Sequence, residues 1–158
     1  GVVVMNHKVW LYLVVSAGSV AGVAACATQP PLTGEVLQCT ENLPPRIVKL
    51  VYVNVASGPD GPVITPDVCT VRSGTQVLWR TAENVLDPFA LAFAESPGAA
   101  AYYRSAGSTG QKDFSSQRMG KRQEVLIVAK AVSSESNIKY DVRIGATHLD
   151  PGIKIMPR

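Results

Sequence analysis

Residues 46–158 predict an all-β fold, an antiparallel β-sandwich with Greek-key connections. Three observations lead there. Short runs rich in valine, isoleucine and aromatic residues recur along the segment, and many alternate large with small or polar residues at the two-residue period of a strand. Clusters of glycine, proline, serine and aspartate separate the runs and mark turns. About seven such runs are present, the number from which a small two-sheet sandwich is built.

The first run, Ile47 to Val55, ends at the turn cluster Ser57-Gly58-Pro59-Asp60-Gly61-Pro62. A second spans Val68 to Arg72, and Ser73-Gly74 turns the chain. In the third, Thr75, Val77, Trp79 and Thr81 share one face while Gln76, Leu78 and Arg80 share the other, which puts Trp79 at the centre of the predicted core. Ala82 to Pro88 is a polar connection. Phe89, Leu91 and Phe93 then alternate with Ala90, Ala92 and Ala94, a bulky core face against a small outer one. Glu95 to Arg122 carries Gly98, Gly107, Gly110 and Gly120 and reads as irregular, with a helical turn at Ala99 to Arg104. Gln123 to Ala131 is apolar on both faces and therefore central. Ile138, Tyr140, Val142 and Ile144 alternate with Lys139, Asp141 and Arg143, a half-exposed strand. Asp150-Pro151-Gly152 turns into a terminal strand that carries Ile153 and Ile155.

The first 45 residues differ in kind. Met5-Asn6-His7-Lys8 is a short basic start, and Gly1 to Val4 ahead of it read as spurious. Val9 to Ala25 is uncharged, with its bulk in Trp10 to Val15 and its later part diluted by Ser16, Gly18, Ser19 and Gly22. The run is weaker than the roughly 20 apolar residues of a membrane span. It has the layout of a signal peptide over residues 1–25, with an uncleaved anchor helix as the alternative.

That segment closes on Val23-Ala24-Ala25-Cys26, which resembles the lipobox of bacterial lipoproteins. The resemblance implies that Cys26 is acylated through its sulfur and becomes the first residue of the mature chain. Several acyl chains hold a protein on a bilayer where one is marginal, each buried methylene adding about 0.8 kcal/mol. Ala27, in place of aspartate, implies sorting to the outer membrane of a bacterium with two membranes. The expected location is the cell envelope, with the protein facing the periplasm. Residues 26–45, with Pro30-Pro31 and Pro44-Pro45, read as a lipidated tether with little regular structure.

Export bears on the remaining cysteines. In an oxidising compartment Cys39 and Cys69 read as a disulfide, with two free thiols or an intermolecular bridge as the alternatives. Their spacing is not C-x-x-C and no histidine-rich segment accompanies them, so neither thiol redox chemistry nor a zinc site is supported. The formal net charge is +3, and removal of Lys8 with the signal leaves +2 (3 − 1). So small an excess argues against a nucleic-acid partner.

Taken in order, several pieces resemble the cupredoxin-like domain: Thr65-Pro66-Asp67, Ser73-Gly74-Thr75 leading into Val77-Leu78-Trp79, Phe89-Ala90-Leu91-Ala92-Phe93, Tyr140-Asp141-Val142, and Asp150-Pro151-Gly152. The resemblance covers residues 46–158, and immunoglobulin-like sandwiches are the competing fold. A blue-copper site needs two histidines, a cysteine thiolate and usually a weak methionine. The resemblance puts the first histidine in Asn84 to Phe89, where there is none, and a cysteine shortly after Tyr140, where the chain reads Val142-Arg143-Ile144-Gly145. His148 alone stands near the place of the second histidine, and its ordinary reading is a solvated loop residue. Met156 reads as core filling. No cofactor is expected.

Enzymatic signatures are equally sparse. His148 is the only histidine after the signal segment, and no G-x-S-x-G elbow accompanies it. Gly107-Ser108-Thr109-Gly110-Gln111-Lys112 lacks P-loop spacing. Two contact candidates remain: Tyr102-Tyr103-Arg104, and the basic group Lys112, Arg118, Lys121 and Arg122. Their ordinary readings are a tyrosine pair packing a loop and a solvated charge run.

The sequence therefore predicts a non-enzymatic, lipid-anchored periplasmic envelope protein whose copper-less cupredoxin-like domain binds a partner or serves a structural role. The alternative is a periplasmic metal carrier or sensor using His148 with Asp150. An enzyme of another type ranks third.

Overall fold

The computed structural model describes residues 36–102, 105–106 and 110–158, with the side chains of residues 102, 105, 106, 147 and 148 left out. The predicted signal segment, Cys26, Tyr103 and Arg104 lie outside the described residues. So do the side chains of Tyr102 and His148.

The described chain is all-β and forms two sheets. It begins with β1 (Leu37–Gln38), β2 (Leu50–Gly58), β3 (Gly61–Thr65), β4 (Val68–Arg72), β5 (Gln76–Arg80) and β6 (Ala90–Phe93). The segment expected to be irregular carries β7 (Gly98–Tyr102), β8 (Ser105–Ala106), β9 (Asp113–Ser115) and β10 (Gln117–Met119). The last four are β11 (Arg122–Ala129), β12 (Ser136–Ile144), β13 (Thr147–Leu149) and β14 (Gly152–Met156). One sheet runs β1-β2-β5-β11-β7-β8, with β3 on β2 and β10 on β11; the other runs β4-β14-β12-β6-β9, with β13 on β12.

The expectation of a purely antiparallel sandwich needs correction, because both sheets are mixed. β2 pairs with β1 and with β5 in parallel, and β4 pairs with β14 in parallel. Local alternation reports which face of a strand is buried; it carries no information about the direction of a neighbour that arrives from far along the chain.

Alternation does locate the core. Val51, Val53 and Val55 of β2, Val77 and Trp79 of β5, Leu91 and Phe93 of β6, Val125 and Ile127 of β11, and Tyr140 and Val142 of β12 are all buried. At its centre Phe93 stacks on Tyr140 at 4.8 Å, while Trp79 meets both rings edge-on at 5.8 Å. Phe114 of β9 adds a further edge contact to Phe93 at 5.7 Å.

Three local expectations change. Ile47, expected inside the first strand, lies in a turn and is 85% exposed, and β2 begins at Leu50. The helical turn expected at Ala99 to Arg104 is replaced by β7, whose Ala100 pairs with Ile127. Alanines favour a helix locally, but the open edge of β11 offers them backbone partners. Gly98 makes that docking possible, since at its φ of 151° a Cβ would run into the carbonyl oxygen of Val128. Finally, the folded unit begins well before residue 46. Leu37 and Gln38 pair with Val51 and Tyr52, the Thr70 amide donates to the Thr40 carbonyl, and the Arg72 guanidinium donates to the Pro44 carbonyl. The part of the expected tether that is described, residues 36–45, is thus held against the sandwich.

The Cys39–Cys69 disulfide fastens this segment, with both cysteines buried. With a sequence separation of 30 between its ends, closing the loop stabilises the fold by about 3.5 kcal/mol on the chain-entropy account.

Candidate functional site

The sandwich has two ends, distinguished by the direction of β5. Arg80 marks one and Gln76 the other.

At the Arg80 end, residues 81–89 form the connection where the sequence resemblance calls for a first histidine. Instead it is fastened by a polar network around Gln123, which is 8% exposed. The Gln123 side-chain amide donates to the Leu86 carbonyl at 3.1 Å, and its side-chain oxygen accepts from the Ser116 hydroxyl at 2.9 Å. That hydroxyl oxygen in turn accepts from the Phe89 amide at 2.9 Å. The Thr81 hydroxyl donates to the Val85 carbonyl at 2.7 Å and accepts from the Gln123 amide at 3.0 Å. Arg122 donates to the Thr81 carbonyl at 2.7 Å and approaches Glu83 at 3.6 Å. Every partner in this network is a neutral amide, hydroxyl or carbonyl apart from the Arg122–Glu83 pair, which suits a loop anchor better than a metal site.

The strand register brings β13 to the same end. Ala90 pairs with Arg143, and Arg143 pairs with His148, so these three backbones form one row. Among the described side chains no group of three or more His, Cys, Asp or Glu is arranged to hold a metal ion. The phenol of Tyr140, two residues before the point where the resemblance calls for a cysteine, is enclosed in the core. Burial pushes its pKa well above the usual range, against the smaller opposing effect of its bond to Trp79. It is a packing group that keeps its proton.

At the Gln76 end lies a cleft of about 280 Å³ lined by Arg46, Lys49, Arg72, Arg158 and the Ser73–Thr75 turn. The four cations come from three separate places in the fold. Arg46 and Lys49 sit in the turn before β2, Arg72 ends β4, and Arg158 follows β14. Lys49 donates to the Arg46 carbonyl at 3.2 Å and Arg158 to the Ser73 carbonyl at 3.1 Å. Gly74, at φ 81°, lets Arg158 pass close over the turn, where a Cβ would meet its guanidinium. These bonds go to neutral carbonyls, and none of the four cations is in an ion pair among the described residues. The cleft therefore gathers cationic side chains with no Asp or Glu side chain in its lining.

The other basic group expected from sequence is not one patch. Lys112 donates to the Ala94 carbonyl beside the second sheet, whereas Arg118, Lys121 and Arg122 lie on the β10–β11 hairpin of the first. Arg122 is already engaged by Glu83. Sequence reading missed the cleft because its cations are spread from Arg46 to Arg158. The one local signal was Arg46-Ile47-Val48-Lys49, two cations around an isoleucine that the alternation had assigned to a strand.

No family model matches the chain, and no curated protein matches it. Among solved structures, it is similar to Fet3p, a multicopper oxidase that functions in iron import, at 9% identity and a TM-score of 0.35. The likeness covers 65% of this chain and 22% of that one, so the chain spans under a quarter of the length of that protein.

Proposed function

We propose that this chain is a lipid-anchored protein of the bacterial cell envelope, exported to the periplasmic face of the outer membrane. Its sandwich is a Greek-key, cupredoxin-like domain with no copper site of its own, acting as a non-enzymatic binding or structural module. The observation that carries the export reading is the buried Cys39–Cys69 disulfide, a bond that persists in oxidising compartments and is rare in reducing ones. The lipobox-like Val23-Ala24-Ala25-Cys26 supplies the anchor. The domain reading is supported by the chain's repeated crossing between two sheets and by the parallel β2–β5 and β4–β14 pairs that result. The neutral network around Gln123 favours a structural use of the loop end.

The experiment is metabolic labelling with palmitate in a bacterial host, followed by membrane fractionation of the parent and Cys26→Ser. The parent should take up label and sediment with outer membranes, and the variant should lose both the label and processing. An unlabelled parent, or a variant that matures and fractionates as the parent does, would end the anchor reading.

A second reading, a metal carrier or sensor, uses His148, whose backbone the strand register brings to the end that carries loop 81–89, with Asp150 two residues further on. Purified protein dialysed against copper or zinc decides between them. The leading reading expects no stoichiometric metal, and retention abolished by His148→Ala would establish the carrier instead.

A further inference from the structure

We propose that the Gln76 end of the sandwich is a membrane-contact surface, in which Arg46, Lys49, Arg72 and Arg158 receive the phosphate groups of anionic lipids while Ile47 enters the headgroup region. The inference deepens the envelope reading and rests on it for the nearness of a membrane.

Two independent features of the surface point to a lipid. The first is the cleft itself, where four cationic side chains converge without an Asp or Glu side chain in the lining and without an ion pair among the described residues. Cations gathered in this way favour an anion with several oxygens, since guanidinium groups match phosphate geometry and an ammonium adds a point charge. The second is Ile47, 85% exposed between Arg46 and Lys49. A large apolar side chain standing out between two cations is suited to the boundary of a bilayer, where the apolar group leaves water and the cations stay among headgroups. A soluble phosphate ligand would give Ile47 no such environment.

The topology supplies the orientation. β1 runs parallel to β2, with Leu37 opposite Val51 and Gln38 opposite Tyr52. The chain therefore enters the domain at the end where β2 begins, and Leu50 is there paired with Gln76. This is the end that carries the cleft. Eleven residue steps lead from Cys26 to Leu37, and fully extended they reach at most about 40 Å. An acyl anchor at Cys26 thus keeps the basic end close to the bilayer, and the Cys39–Cys69 bond fixes the entering segment on the domain. Attraction of an exposed Lys or Arg to an anionic membrane is worth about a fivefold gain in partitioning each.

The test uses the full chain bearing Cys26→Ser, so that no acyl chain takes part. Flotation is compared between vesicles of phosphatidylcholine alone and vesicles that also contain phosphatidylglycerol. The N-terminal segment, its apolar run and its Lys8 alike, is common to the parent and every variant and cancels when their ratios are compared. The ratio should favour the anionic vesicles and fall about tenfold or more in Arg46→Gln with Lys49→Gln. Arg118→Gln with Lys121→Gln removes the same charge from the β10–β11 hairpin and should change the ratio by less than about twofold. Ile47→Ser should weaken binding to both vesicles. Thermal unfolding followed by circular dichroism verifies that each variant is folded, and Arg158→Gln reads the same ratio should the Arg46 and Lys49 pair unfold.

Absence of an anionic preference in the parent would overturn the proposal. So would an equal loss from both charge pairs, which would assign the preference to net charge. Displacement from the vesicles by millimolar soluble glycerol phosphate would show a pocket for a free phosphate ester and also overturn it. Failure of the acyl anchor would appear in palmitate labelling and leave these ratios unaffected.

Discussion

The indole Nε1 of Trp79 donates a hydrogen bond to the hydroxyl oxygen of Tyr140 at 3.0 Å, joining β5 of one sheet to β12 of the other inside the core. Both side chains are almost fully buried. The indole N–H would be costly to enclose alone, and the Tyr140 oxygen accepts it. The bond thereby allows two large rings to fill the centre of the sandwich.

Tyr140→Phe keeps the ring and strands the Trp79 donor. The expected loss is about 1–3 kcal/mol of unfolding free energy in urea. Trp79→Phe with Tyr140→Phe removes both polar atoms, and a double-mutant cycle should show strong coupling between the sites. Strictly additive losses would show that the bond contributes nothing beyond packing.

Gln123→Ala should release loop 81–89 while the sheets persist. The Leu86 carbonyl and the Ser116 hydroxyl each lose a partner, for a cost of about 1–2 kcal/mol. Hydrogen exchange should accelerate at the amides of Asn84 and Phe89, which bond to the Lys121 carbonyl and the Ser116 hydroxyl. The Val125 and Ile127 amides, within the β5–β11–β7 ladder, should remain protected. Uniform acceleration across the domain would mean that the loop has no stability separable from the sheets.

Glu124 is opposite Arg80 across β5 and β11. Burial raises its carboxyl pKa, against the attractions of Arg80 and Arg122 that lower it. The folded state therefore holds the proton to higher pH than the unfolded chain does. That stabilising protonation is complete below the unfolded value, near 4.5, and is lost as pH rises through the folded one. Glu124→Gln, neutral throughout, should gain melting temperature relative to the parent as the pH is raised from about 4 to about 7. A difference between the two proteins that is flat with pH would contradict the raised pKa.

Much of the core was legible because burial follows a local rule. Val77 and Trp79, Leu91 and Phe93, and Ile138, Tyr140 and Val142 alternate with their neighbours, and a period of two places them on one face wherever the strand ends up. The disulfide was legible for a different reason. Two cysteines remained once Cys26 was set aside, and an exported chain favours joining them.

Other features required the assembled fold. The direction of β5 beside β2 and of β14 beside β4 depends on how distant segments meet, which no local period encodes. Ala99 to Ala101 join a sheet because β11 offers an edge and Gly98 permits the approach. Residues 36–45, with prolines that read as a tether, are held by backbone bonds to β2 and β4 and by the bond from Cys39. The candidate surface is the extreme case, since Arg46, Arg72 and Arg158 are unremarkable in sequence and become one site only where a turn, a strand end and the chain beyond β14 converge. Sequence alone determined which side chains leave water. Tertiary structure decided which charges become neighbours, because electrostatic proximity depends on distance in space and the chain brings those positions together only by folding.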